Sequence, residues 1–99
     1  MFVHHVFFWL KNPDSSEDRN QLEEGLLELE KIDVIRTFHV GVPASTNRPV
    51  IERGYAFSLL LIFDDLEDQE TYQTHPVHER FVKECSHLWA KVVVYDSVD

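Results

Sequence analysis

Positive charge is scarce in this chain: nine Lys and Arg stand against 18 Asp and Glu, a net charge of −9 over 99 residues. An acidic surface is repelled by nucleic-acid backbones and by anionic membranes, so neither is expected as a partner. Cysteine is reduced to Cys85, which excludes an internal disulfide and suits a reducing compartment. A lone cysteine on a helix is expected to be a small buried apolar residue rather than a reactive thiol. The three glycines, Gly25, Gly41 and Gly54, are isolated, so there is no glycine-rich phosphate loop and no Gly-x-Ser-x-Gly elbow. No apolar run approaches the roughly 20 residues that span a bilayer. The first residues lack the basic segment and small-residue cleavage site of a secretory signal. A cytoplasmic protein of one domain, residues 1–99, is the expectation.

What is present in quantity is apolar surface on both sides of strand-like runs. Phe2 to Leu10 places Phe2, Val6, Phe8 and Leu10 on one side and Val3, Phe7 and Trp9 on the other. Tyr55 to Phe63 places Tyr55, Phe57, Leu59, Leu61 and Phe63 on one side, and Ala56, Ser58, Leu60 and Ile62 on the other. Side chains of a strand alternate between faces, so strands apolar on both faces need cover above and below. The chain has residues for about two helices, which cover one face of a four-stranded sheet. A second copy of the chain is the simplest cover for the other, so a homodimer is expected, and a domain this small gains stability from a large interface.

Residues 2–11 read as the first strand. Asn12 to Ser16 is a turn in which Asp14 and Glu17 resemble a capping box. From there to about Lys31, Leu22, Leu26 and Leu29 recur at helical spacing, followed by Ile32, with Glu23, Glu24, Glu28 and Glu30 outside. Gly25 interrupts that helix and permits close packing. Val34 to Val42 is a second strand, Pro43 to Gly54 a long polar connection, and Tyr55 to Phe63 the third strand. Asp64-Asp65 announces a helical region, Glu67 to Trp89, interrupted at His75-Pro76. Val92 to Asp96 is the last strand. The order β-α-β-β-α-β defines an α+β, ferredoxin-like fold: a four-stranded antiparallel sheet with both helices on one face and the other face bare.

Six histidines are the main chemical resource. His4 and His5 are neighbours in a strand and face opposite sides. His78 has Phe81, Val82, Cys85 and Trp89 at helical spacings on its own side. Apolar surroundings disfavour its charged form, and a neutral, partly desolvated imidazole is what a general base requires. A core histidine satisfied by a backbone carbonyl is the competing explanation. Tyr72 is either a hydrogen-bond donor to a substrate oxygen or a filler of the core edge. On an unbroken helix Tyr72 and His78 would sit roughly 120° apart in azimuth and about 9 Å apart along the axis, so they act together only if the helix breaks between them. His75-Pro76 supplies the break, with His75 itself read as a cap or turn residue. His87 is expected at the surface. His75, His78, Glu79, His4, His5 and His39 offer metal-ligand types, but no H-E-x-x-H motif or cysteine pair organises them, and no metal is expected.

The segments HHVFFWLK, Thr37 to Gly41, Gly54-Tyr55, Tyr72-x-x-His75-Pro76-x-His78-x-x-Phe81 and Val94-Tyr95-Asp96 resemble the stress-responsive α/β-barrel domain family over nearly the whole chain. The resemblance implies a dimeric α/β barrel in which two ferredoxin-like subunits pack sheet against sheet. It also implies, by similarity to a plant polyketide cyclase of that family, a cofactor-independent aldol chemistry. His78 is then similar to the general base and Tyr72 to the substrate-holding tyrosine, with His5 or His4 a further pocket histidine. The chain departs from the cyclase at Phe57, where that enzyme has a histidine. The expected site is thus His78 and Tyr72 as catalytic residues, with His5, His4, His39, Phe57 and His75 around the substrate, no cofactor, and a small hydrophobic or aromatic ligand between helix and sheet. A non-catalytic dimeric ligand-binding protein and a small monooxygenase-like barrel are the other readings.

Overall fold

The computed structural model describes residues 1–99. Its elements are β1 (Phe2–Leu10), α1 (Ser16–Glu28), β2 (Thr37–Gly41), β3 (Phe57–Phe63), α2 (Leu66–Thr74), α3 (Pro76–Cys85) and β4 (Trp89–Val98). Single 3₁₀ turns, Leu29–Lys31 and Ser86–Leu88, close α1 and α3. The sheet is antiparallel in the order β2-β3-β1-β4, the ferredoxin-like arrangement. No helix is long and apolar enough to cross a membrane.

Strand alternation decides which residues make the core. Phe2, Val6, Phe8 and Leu10 of β1 and Phe57, Leu59, Leu61 and Phe63 of β3 are buried on the helical side. Leu22, Leu26 and Leu29 come down from the first helical stretch, with Ile32 following, each at most 1% exposed. Burying each such side chain is worth about 1.5–3 kcal/mol, so this seam holds α1 to the sheet. Gly25 lies where α1 meets α3: a Cβ there would stand 2.6 Å from Cys85 Sγ and 3.2 Å from Phe81. The glycine lets the two helices approach, and Cys85 is buried beneath it.

Several boundaries differ from the sequence expectation, each for a local reason. Ser15 rather than Asp14 caps α1, its hydroxyl accepting from the Asp18 amide at 3.1 Å. The second strand shortens to Thr37–Gly41, and the third begins at Phe57. Tyr55 therefore leaves the alternation and packs beside Phe7 and Trp9, on the side away from the helices. Asp65 caps α2 as expected, accepting from the Asp68 amide at 2.9 Å. The second helical region is divided at His75-Pro76 as expected, into α2 and α3, but it stops at Cys85 rather than Trp89. Trp89 opens a fourth strand longer than expected, with a register irregularity opposite Trp9 and Leu10.

The face away from the helices is bare, as expected. Val3, His5, Phe7, Trp9, Leu60 and Ile62 are all partly exposed there. Phe7 is the hub of an aromatic patch: its ring centroid lies 4.4 Å from His5, 5.0 Å from Tyr55 and 6.0 Å from Tyr95.

Candidate active site between the sheet and the broken helix

Two helices meet at His75-Pro76 because neither residue continues α2. Pro76 has no amide hydrogen, and His75 takes an extended conformation (φ −65°, ψ 138°), as a residue before proline prefers. Pro76 then opens α3 at its first position. His75 caps that helix: its Nδ1 accepts from the Val77 amide at 3.1 Å.

This cap has a second effect two residues further on. In a continuous helix the Val77 amide would serve the Gln73 carbonyl; diverted to His75, it leaves that carbonyl without its helical donor. His78 takes the place, its Nδ1 lying 3.1 Å from the Gln73 oxygen. A carbonyl oxygen only accepts, so Nδ1 carries the proton and Nε2 presents its lone pair. Replacing His75 by alanine is expected to cost about 1 kcal/mol of stability through the lost cap. Chemical denaturation checks the cost, and the His78 imidazole NMR signals should report loosened orientation.

The break also brings His78 against Tyr72, with ring centroids 4.7 Å apart. Tyr72 is 1% exposed and is held by Phe63 at 5.4 Å and His4 at 5.9 Å. Its hydroxyl makes no hydrogen bond within the chain, yet no buried side-chain polar atom is left without a partner. Tyr72 borders a cavity of about 140 Å³ lined also by His4, His78, Phe81, Val82 and Trp89, among others. Val92 and Val94 of β4 complete its wall; with Val82 they are the more exposed hydrophobic side chains around it. Burial pushes the Tyr72 phenol well above its usual value, so it stays a protonated donor. Burial also pulls the half-buried His78 below the usual histidine value, a shift the Gln73 carbonyl opposes. Neutral His78 therefore prevails at pH 7.

His4, from the centre of β1, is the third polar group. Its Nδ1 donates to Asp96 Oδ1 at 2.6 Å, which fixes the ring and leaves Nε2 free. The ladder makes this pair, since His4 and Asp96 are direct cross-strand neighbours. Of the two candidates in β1, His4 is thus the one on the cavity side.

Four residues expected around the substrate lie elsewhere. His5 points to the bare sheet face by strand alternation, and His39 joins it there, since both pair with Leu60. Phe57 sits opposite Phe8 in the core, 1% exposed, with the Arg19 guanidinium 5.4 Å over its ring. It fills space beneath α1 and does not line the cavity. His75 is spent as a cap, as its position before proline indicated. His87 is exposed, and no group of three or more potential metal ligands is assembled. Sequence reasoning missed Asp96, the Gln73 carbonyl and the placement of Trp89 on a strand. A wider depression of about 690 Å³ between α1 and α3 is lined by Gln21, Glu24, Glu28 and Glu84. It is open and acidic and gathers no acid–base pair, so the smaller cavity is the better candidate despite its size.

A sequence model described as the Stress Responsive A/B Barrel Domain matches residues 2–99. The chain belongs to that family. A dimeric ferredoxin-like protein of unknown function from Bacteroides fragilis is 27% identical, with a TM-score of 0.74 covering 99% of this chain and 95% of that one. A member of the same family from Mesorhizobium loti, also ferredoxin-like, is 24% identical with a TM-score of 0.81, covering 99% and 95%. The hydroxynitrile lyase of Passiflora edulis is 21% identical with a TM-score of 0.79, covering 99% and 92%. At these identities the last two speak for the fold. No curated protein matches. Stress-responsive barrel membership and a ferredoxin-like sheet thus agree with what the sequence motifs implied.

Proposed function

We propose that this chain is a homodimer, joined through its bare sheet faces, that carries in each copy a cofactor-independent proton-transfer site for a small uncharged carbonyl compound. The observation that carries the chemistry is the pairing of His78 and Tyr72 at one cavity wall, a neutral imidazole with a free Nε2 beside a protonated phenol with no partner in the chain. His78 Nε2 removes a proton alpha to the carbonyl, and Tyr72 donates to the oxygen on which enolate charge develops. His4, oriented by Asp96, offers a second nitrogen for returning the proton. The dimer is supported by the exposed aromatic patch around Phe7 and by the dimeric state of the Bacteroides relative. A reducing cytoplasm fits the unpaired Cys85.

Cavity size narrows the substrate. About 140 Å³ is close to the roughly 150 Å³ that holds a single benzene ring in an engineered apolar cavity. A single-ring or short-chain aldehyde or ketone is of matching size. With Asp96 and Glu79 nearby and an acidic chain around it, the site disfavours anions.

Phenylacetaldehyde and acetophenone in D₂O provide the test, with loss of the alpha-proton signal followed by NMR. Enzyme-dependent exchange is expected to be lost as His78 protonates, with a midpoint below the roughly 6.5 of a free histidine, because burial holds its pKa below the usual value. Saturable binding of these compounds without exchange would turn the site into a non-catalytic ligand pocket.

A further inference from the structure

The bare sheet face has a charge pattern unlike the rest of the molecule. Odd-numbered residues of β1, β2 and β4 beyond Ala90, and even-numbered residues of β3, face this side, and none is Asp or Glu. Acidic residues number 18 in the chain as a whole. At the centre, one ladder row reads His39, Leu60, His5, Tyr95 across the four strands. Lys91 lies at one end of the face, 4.6 Å over the Trp9 ring, and Glu52 of the long loop shares the hollow beside them. At the other end the Arg36–Asp64 and Met1–Asp99 ion pairs mark the rim. No carboxylate within the face is placed to accept a proton-bearing His5 or His39.

We propose that association of two copies through this face is controlled by protons, His5 and His39 acting together as the release: neutral imidazoles permit the dimer, and imidazolium drives the copies apart. This rests on the sheet-face homodimer proposed above. The thermodynamics follow from linkage. On a free face an imidazole charges between about pH 7 and pH 5. Under a second copy, charging must take place out of water, with no carboxylate on the face's own strands beside either imidazole. The separated chains therefore bind more protons than the dimer, and the dimer weakens as pH falls. Its stability is complete above the free histidine value and is lost below it. Partial burial, with His39 and then His4 nearby, already lowers the His5 value in one copy, the direction that further covering extends.

Sedimentation equilibrium of the full chain, stepped from pH 8.0 to pH 5.5 with far-UV circular dichroism at every step, tests this. The expected result is a dimer at pH 8.0 whose Kd rises about 100-fold by pH 5.5, since four imidazoles per dimer each contribute a few-fold. The His5→Gln/His39→Gln double variant should remain dimeric across the range, and His39→Gln alone should lose about half of the pH slope. An unchanged Kd, a double variant that dissociates like the parent, or a dichroism change that precedes dissociation would each overturn the switch. A monomer at pH 8.0 would instead overturn the sheet-face dimer itself, so the two failures are distinguishable.

Discussion

Replacing His78 by alanine is expected to lower the alpha-proton exchange rate by roughly 10²–10⁴-fold, the usual contribution of a positioned general base. The fold should survive the change. His78 is only half-buried, and its side chain bonds a carbonyl near the helix break that water can also serve. Far-UV dichroism and a denaturation midpoint close to the parent's, alongside lost exchange, separate the loss of a base from the loss of a structure. Tyr72→Phe is the informative companion because it keeps the ring that packs on Phe63, His4 and His78 and removes only the hydroxyl. If Tyr72 stabilises enolate charge, this variant loses turnover with stability nearly intact. Retained exchange in His78→Ala would remove the base assignment and leave His4 as the candidate.

The second large effect concerns Phe7→Glu, which should convert the dimer into a folded monomer, raising Kd by roughly 10³-fold or more. Phe7 projects from the bare face by strand alternation, and its ring neighbours there are His5, Tyr55 and Tyr95. If two copies meet through this face as proposed, a carboxylate at its hub brings two charges out of water near one another. That cost falls on association and scarcely on folding of the single chain. Sedimentation at micromolar concentration reads the outcome. A Phe7→Glu dimer as tight as the parent's would show that the copies meet elsewhere.

How much of this was legible beforehand follows from the range of each interaction. The doubly apolar strands, the order of elements and the helix break are local patterns, and they were read correctly from alternation, helical spacing and the His75-Pro76 pair. Tyr72 and His78 were recognisable as partners for the same reason: six residues and one proline determine whether they can meet. Asp96 was not recognisable, because its bond to His4 spans 92 positions and depends on a register between β1 and β4 that no local signal fixes. His39 and Phe57 were misplaced for a related reason. Both are on strands as expected, but which face they occupy relative to the cavity depends on the pairing of β2 and β3 with β1. The ends of α3 and β4 were misjudged because Trp89 continues a helical spacing while the backbone has already turned through Ser86–Leu88.

Strand β4 is an outer strand, and its cavity-facing residues Val92 and Val94 remain 42% and 47% exposed. Changing them costs the fold little, because the core closes beneath α1 and does not depend on them. The proposed acid–base pair, Tyr72 and His78, belongs instead to the two helices, on either side of the break between α2 and α3. On the proposed function, selectivity and chemistry are therefore mutable independently: altering the two valines reshapes the cavity wall and leaves His78 and Tyr72 untouched.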